Sequence, residues 1–260
     1  MRNLIIIGLL LTCIILNAQT GSNPFDFVSE QEKEEYKGLS KIEIWHKKKN
    51  EMIVLNCGFG MGFLKNDFEK TTNSEINQFN SDLTQGINIS ASLMYYTKLN
   101  IGFGAAGDFY KSRAVLKNIL IEDDNGNSLG TANYSEEYSI PSFGLAMGYK
   151  KAFSQNRLIF GSDLRLYIAL FSDERSFSNF SDFPDEPSIS SKYTGNTFCP
   201  YTSFFAEYFL KKEISIGLNV SGIIGEISEL SSEGTTLTLS EPISLNRLNI
   251  MLGIRFFWLR

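Results

Sequence analysis

Histidine is almost absent. The chain has one, His46, in 260 residues. Zinc sites want several His or Cys ligands, so no metal site is expected. A hydrolase of the Ser-His-acid kind would depend on that single imidazole. Cysteine is scarce as well, with three in the chain. Cys13 falls inside an N-terminal apolar run and is preceded by Thr12, which argues against a lipid-anchored cysteine. Long apolar runs are missing after that first one, Leu4 to Leu16. No segment reaches the ~20 residues that a membrane-spanning helix needs. Near-neutral mean hydropathy does not exclude a membrane protein, because a barrel alternates lipid-facing and lumen-facing residues and averages out. The net charge is −5, and no basic, aromatic-studded face suggests nucleic acid.

What is present is alternation. From Leu245 to Trp258, the positions Leu248, Ile250, Leu252, Ile254, Phe256 and Trp258 are apolar. Those between them, Arg247, Asn249, Met251, Gly253 and Arg255, are mostly polar, small or charged. Period two over this length is a strand with one oily and one wet face. The pattern first appears at Met52, where Leu55, Cys57, Phe59, Met61 and Phe63 alternate with Asn56, Gly58, Gly60 and Gly62. It recurs from Ile87, Ile101, Ser142, Leu158, Tyr201 and Ile214. The expected fold is all-β: an antiparallel transmembrane β-barrel of about eight strands. Cys57 then faces lipid and Cys199 the lumen, so no disulfide between them is expected.

Short turns alternate with long polar stretches at about 65–85, 172–196 and 229–242 and with the turn sequence Asp123-Asp124-Asn125-Gly126-Asn127. Short periplasmic turns, long acidic extracellular loops and two periplasmic termini fit that rhythm. Residues 1–18 read as a signal peptide, with Arg2 before the apolar run and Ala18 at the cleavage site. Residues 19–51 read as a periplasmic lead-in, in which Lys41 to His46 could add a strand, and residues 52–258 as the barrel.

The chain resembles the small outer-membrane β-barrel proteins of the OmpA/OmpX-like type. The segments Asn17-Ala18-Gln19 and Gly253-Ile254-Arg255-Phe256-Phe257-Trp258 are similar to members from Bacteroidetes-type bacteria. The resemblance implies residence in the outer membrane of a Gram-negative bacterium and insertion by the barrel-assembly machinery. It implies no single activity.

Two motifs are set aside. Gly102-Phe103-Gly104-Ala105-Ala106-Gly107 matches a dinucleotide fingerprint, but it lies within one alternating strand and no helix follows. Asp123-x-Asn125-x-Asn127 begins like a calcium loop, yet its sixth position is Ser128 and its twelfth is Tyr134. No cofactor is expected. Asp108, Asp163, Arg165, Glu207, Arg247 and Arg255 all have inward parity. In a bore just filled by side chains, they read as a salt-bridge plug or, in the other reading, as a gate. Arg255 with Glu207 is the expected pair. Tyr95, Tyr149, Tyr208, Phe256 and Trp258 read as an aromatic girdle at the periplasmic interface.

Three functions remain from the sequence. The first is a non-enzymatic barrel with a structural or surface-interaction role. The second is a narrow or gated, porin-like pore, which lumen glycines such as Gly62, Gly102 and Gly144 would favour by widening the bore. The third is a lipid-modifying enzyme. The expected partners are outer-membrane lipid and lipopolysaccharide, the assembly machinery, and a surface or periplasmic protein.

Overall fold

The computed structural model describes residues 52–65, 68, 71–97, 99–122, 128–153, 158–181, 188–211, 213–232 and 234–259. The signal-peptide and lead-in expectations, His46 and the calcium-like loop 123–127 lie outside them. Strands β1 (Met52–Leu64), β2 (Gln85–Tyr96), β3 (Ile101–Glu122), β4 (Ser128–Phe153), β5 (Leu158–Ser178), β6 (Ile189–Lys211), β7 (Ile214–Ile223) and β10 (Arg247–Leu259) pair with their neighbours. β1 pairs with β10 and β5 with β6, so the ring closes as an eight-stranded antiparallel barrel. The shorter β8 (Glu226–Ser232) and β9 (Thr235–Ser244) form a hairpin between β7 and β10. Gly234 turns it at a φ of 83°, a left-handed value that glycine adopts without strain.

Closure explains why every strand alternates. Along β2, odd-numbered residues from Gln85 to Tyr95 are exposed and even-numbered ones from Gly86 to Tyr96 are buried. The exposed set is the oily one: Ile87, Ile89, Leu93 and Tyr95 lie outside, while Asn88, Ser90 and Ser92 lie inside. This inverts the rule for a protein in water, where large apolar patches are kept small. The same inversion runs around the ring, through Phe103, Leu145, Leu166, Phe204, Leu218 and Leu252. On β5 the outward apolar residues run from Phe160 to Leu170. At ~3.4 Å per residue and a tilt of ~40° they cover roughly 26 Å, the height of a barrel's lipid-facing band. The ring is a transmembrane β-barrel.

Its two ends differ. At one, turns are short: Met52 lies opposite both Leu259 and Tyr96, and Asn100 reverses the chain at a φ of 61°. At the other end, the stretches expected as loops are largely strand. β3 and β4 stay paired up to Glu122 and Ser128, and β5 and β6 up to Phe177 and Ile189. The expected last loop is the β8–β9 hairpin. Sequence alternation fails there for a physical reason: above the lipid band the outer face meets water instead of lipid, so hydrogen bonding continues without an apolar outward set. The stretch expected to be polar loop between β1 and β2 holds helix α1 (Ser74–Thr84). Asn73 caps it, its Oδ1 accepting from the backbone N–H of Glu75 (2.8 Å) and Ile76 (3.4 Å). Phe79 and Leu83 are its buried face. Phe79 meets Tyr134 of β4 at 5.7 Å between ring centroids, and Tyr110 Oη donates to the Thr84 carbonyl at 3.1 Å. Both tyrosines have inward parity, so α1 sits over the lumen mouth at the long-strand end.

Candidate functional site: the charged lumen and its rim

The six lumen charges are all buried, none more than 4% exposed. They form two groups. Nearer the short-turn end, Asp163 Oδ2 lies 3.0 Å from Arg165 Nη2 and 3.9 Å from Arg255 Nη2. Arg255 Nε lies 2.7 Å from Glu207 Oε1, and Ser215 Oγ donates to Glu207 Oε2 at 2.7 Å. Arg165 Nη1 also donates to Tyr167 Oη at 2.8 Å. The arginines lie over rings, Arg255 over Phe205 (3.4 Å to the centroid) and Arg165 over Tyr201 (4.5 Å). The expected Arg255–Glu207 pair is in contact, and Asp163 joins it to Arg165. Further along the bore, Arg247 pairs with Asp108, whose Oδ2 accepts from Asn88 Nδ2 at 2.8 Å. Arg247 Nε donates to Asn249 Oδ1 at 2.8 Å, and Asn249 Nδ2 donates to Ser221 Oγ at 3.1 Å. Charges of opposite sign meet because a buried charge without a partner is costly.

Sequence reasoning missed a seventh lumen charge. Lys150, which the inward set of the sequence analysis leaves out, is buried at 4% exposure. Its ammonium lies beside Met52 Sδ and over the Tyr96 ring, 4.5 Å from the centroid. Parity carried on from Gly148 would have placed it inside.

The lumen glycines do not widen the bore. A Cβ on Gly62 would stand 2.8 Å from the Tyr110 ring, and one on Gly102 would stand 2.7 Å from Tyr96. Missing side chains on one strand are sockets for rings from another. In β3 the dinucleotide-like glycines lie mid-strand with no helix after them.

Tyr95, Tyr149 and Tyr208 face outward and exposed. Phe256 and Trp258 are half-exposed and stack at 6.2 Å between centroids. All five sit at the short-turn ends of their strands. Cys57 is half-buried on the outer face, Cys199 is buried, and both are free.

Above the lipid band, the inner wall carries a second charged cluster that the sequence reading did not find. Arg175 Nη2 pairs with Asp173 Oδ2 at 2.8 Å, and Arg175 Nε lies 3.6 Å from Glu136 Oε1. Tyr134 Oη donates to Glu136 Oε2 at 2.8 Å. Burial pushes the Asp173 carboxyl up to about 6; the Arg175 hydrogen bond opposes the rise and the Glu136 carboxylate adds to it. In the unfolded chain the same carboxyl titrates near its ordinary value of ~3.9. The native state therefore holds this proton more tightly. Its stabilising contribution is complete below about pH 4 and is lost as pH rises through about 6. Wild type is expected to lose stability relative to Asp173→Asn between pH 4 and pH 7, read as urea midpoints. Parallel profiles would contradict this.

No family model matches the chain, and no curated protein does. Among solved structures it is similar to a major outer membrane protein from Thermus thermophilus, at 12% identity and a TM-score of 0.48, covering 80% of this chain and 99% of that one. It is also similar to Neisserial surface protein A, at 9% identity, TM-score 0.41, and coverage of 78% and 96%. A third is Ail, the attachment invasion locus protein of Yersinia pestis, seen with the heparin analogue sucrose octasulfate, at 11% identity, TM-score 0.40, and coverage of 80% and 99%.

Proposed function

We propose that this chain is a closed, non-enzymatic barrel of a Gram-negative outer membrane, which holds its long paired strands outside the cell as an interaction surface. The observation that carries the reading is the filled lumen: Tyr110, Tyr167, Cys199, Ser203, Ser215 and Asn249 are each 0% exposed. These side chains come from β3, β5, β6, β7 and β10, so five strands of the ring fill the interior. Such an interior favours a plug over a gate, and a rigid support over a conduit. The short-turn end, with its aromatic girdle and both ends of the ring, faces the periplasm in this reading. The rim is mixed in charge rather than simply acidic, since Lys111 pairs with Glu137 at 2.6 Å on its outer face.

The orientation is testable by labelling intact cells with a membrane-impermeant maleimide, in a Cys57→Ala background. Thr236→Cys, on the exposed β9 edge of the hairpin, is expected to label in whole cells. Leu99→Cys, 74% exposed at the short β2–β3 turn, is expected to label only after lysis. The reverse pattern would overturn the orientation.

A further inference from the structure

The outer face of β3–β6 changes character in steps set by register. The last lipid-facing row holds Pro141 and Leu170, with Asn196 opposite Leu170. The next row is Lys111, Ser139, Ser172 and Thr194, directly opposite one another across four strands. The row beyond is Arg113, Glu137, Glu174 and Lys192. Thus apolar groups give way to hydroxyls and then to charges within two rows. A groove of about 560 Å³ lies here, with Pro141 and Leu170 at its base and Ser139, Ser172, Thr194, Lys192, Glu137 and Glu174 among its walls. Ser231 of β8 flanks it beside β6, where Thr194 Oγ1 donates to the Ser231 carbonyl at 3.4 Å. The volume lies within the range of ligand-binding clefts.

We infer that this groove seats the headgroup of a phosphorylated glycolipid of the outer leaflet, its acyl chains running down the adjoining lipid band. The inference rests on the membrane reading and orientation proposed above. Continuity with the lipid-facing band identifies the occupant as a lipid, because the apolar base opens onto Phe143, Ile168 and Phe198, which are exposed immediately below. The polar walls specify its head. Lys192 offers an ammonium donor to a phosphate, while Lys111 stands beside the groove and is held by Glu137 at 2.6 Å. Hydroxyls at Ser139, Ser172 and Thr194 can donate and accept, and the Glu137 and Glu174 carboxylates only accept. A bare phosphodiester has no hydroxyl to give those carboxylates and is repelled by them. A phosphorylated sugar satisfies both kinds of wall.

The test titrates the folded full-length barrel, in mixed detergent micelles, with bisphosphoryl lipid A, its dephosphorylated form, or phosphatidylmethanol, a phosphodiester lipid with no headgroup hydroxyl, read by native mass spectrometry. Wild type is expected to bind bisphosphoryl lipid A in preference to the other two. Lys192→Gln should weaken that binding about ten-fold, the loss of a charge-assisted contact. Thr194→Val should weaken it while leaving folding intact, and Lys65→Gln, at the exposed end of β1, should leave it unchanged. Equal losses in the Lys65 and groove variants would overturn the site, as would phosphatidylmethanol binding as tightly as lipid A. Heat-modifiable migration on gels, measured in parallel, separates the two levels of failure. A folded barrel that inserts into vesicles but binds no lipid A sinks the groove alone, whereas a chain that does not insert sinks the membrane reading too.

Discussion

Asp163→Asn is expected to destabilise the barrel more than any other lumen substitution, by about 3–5 kcal/mol, the cost of breaking a buried ion pair from one side. The reason is sharing. Asp163 Oδ2 lies within ion-pair reach of both Arg165 and Arg255, and its side chain is 2% exposed. Removing its charge leaves Arg165 with only Tyr167 and an aromatic face, and leaves Arg255 with Glu207 alone. Glu207→Gln should cost less, because Arg255 keeps Asp163 at 3.9 Å. The measurement is the urea midpoint of folding in lipid vesicles. A control separates charge from shape: Asp163→Asn combined with Arg165→Met removes both partners and should recover part of the loss. If Asp163→Asn proved as mild as a surface change, within about 0.5 kcal/mol, the buried network would not be holding the ring together.

Leu145→Arg is the second large effect, and it separates a membrane barrel from a soluble one. Leu145 is 75% exposed and lies midway along the apolar stretch of β4, between Pro141 and Tyr149. It stands opposite Ala105 and Leu166 on the outer face. In water, an exposed leucine changed to arginine would be near neutral. Facing lipid at mid-height, the arginine costs about 2–4 kcal/mol. Leu210→Arg, on the outer face of β6 next to the short β6–β7 turn, should cost less, since the penalty falls towards the interface. Equal, negligible costs at both positions in vesicles would contradict the lipid-facing assignment.

The fold was legible where one face met lipid and the other did not. There the alternation is complete, and parity alone puts Arg247, Arg255 and Glu207 inside. It failed where that contrast ended. Above the band, β3 to β6 run on as paired strands whose outward residues, such as Ser139, Ser172 and Lys192, no longer differ in polarity from those facing in. Helix α1 left a weak signal: a capping Asn73 and apolar residues Ile76, Phe79 and Leu83 at helical spacing. Eleven residues of mixed polarity hid it. Lys150 was left out of the inward set because a lysine near a strand end reads as turn chemistry, although parity puts it inside. The glycines misled in another way. Sequence shows the missing side chain at Gly62 but not the Tyr110 ring, 48 positions further along, that occupies the space. Of the pairings between arginine and carboxylate, Arg255–Glu207 was expected, whereas Arg165–Asp163 and Arg247–Asp108 were not, because register across strands and side-chain reach decide them and alternation within a strand does not.

The lumen is filled by packed side chains rather than open. Single-channel recording of the refolded full-length protein in planar bilayers, beside Glu207→Ala, tests this most directly. Wild type is expected to be silent, with no steady steps at moderate voltage, and the variant to lose stability without gaining a stable open level. A steady conductance in wild type that changes in size or ion selectivity with Glu207→Ala would contradict it and make the Arg255–Glu207 pair a gate.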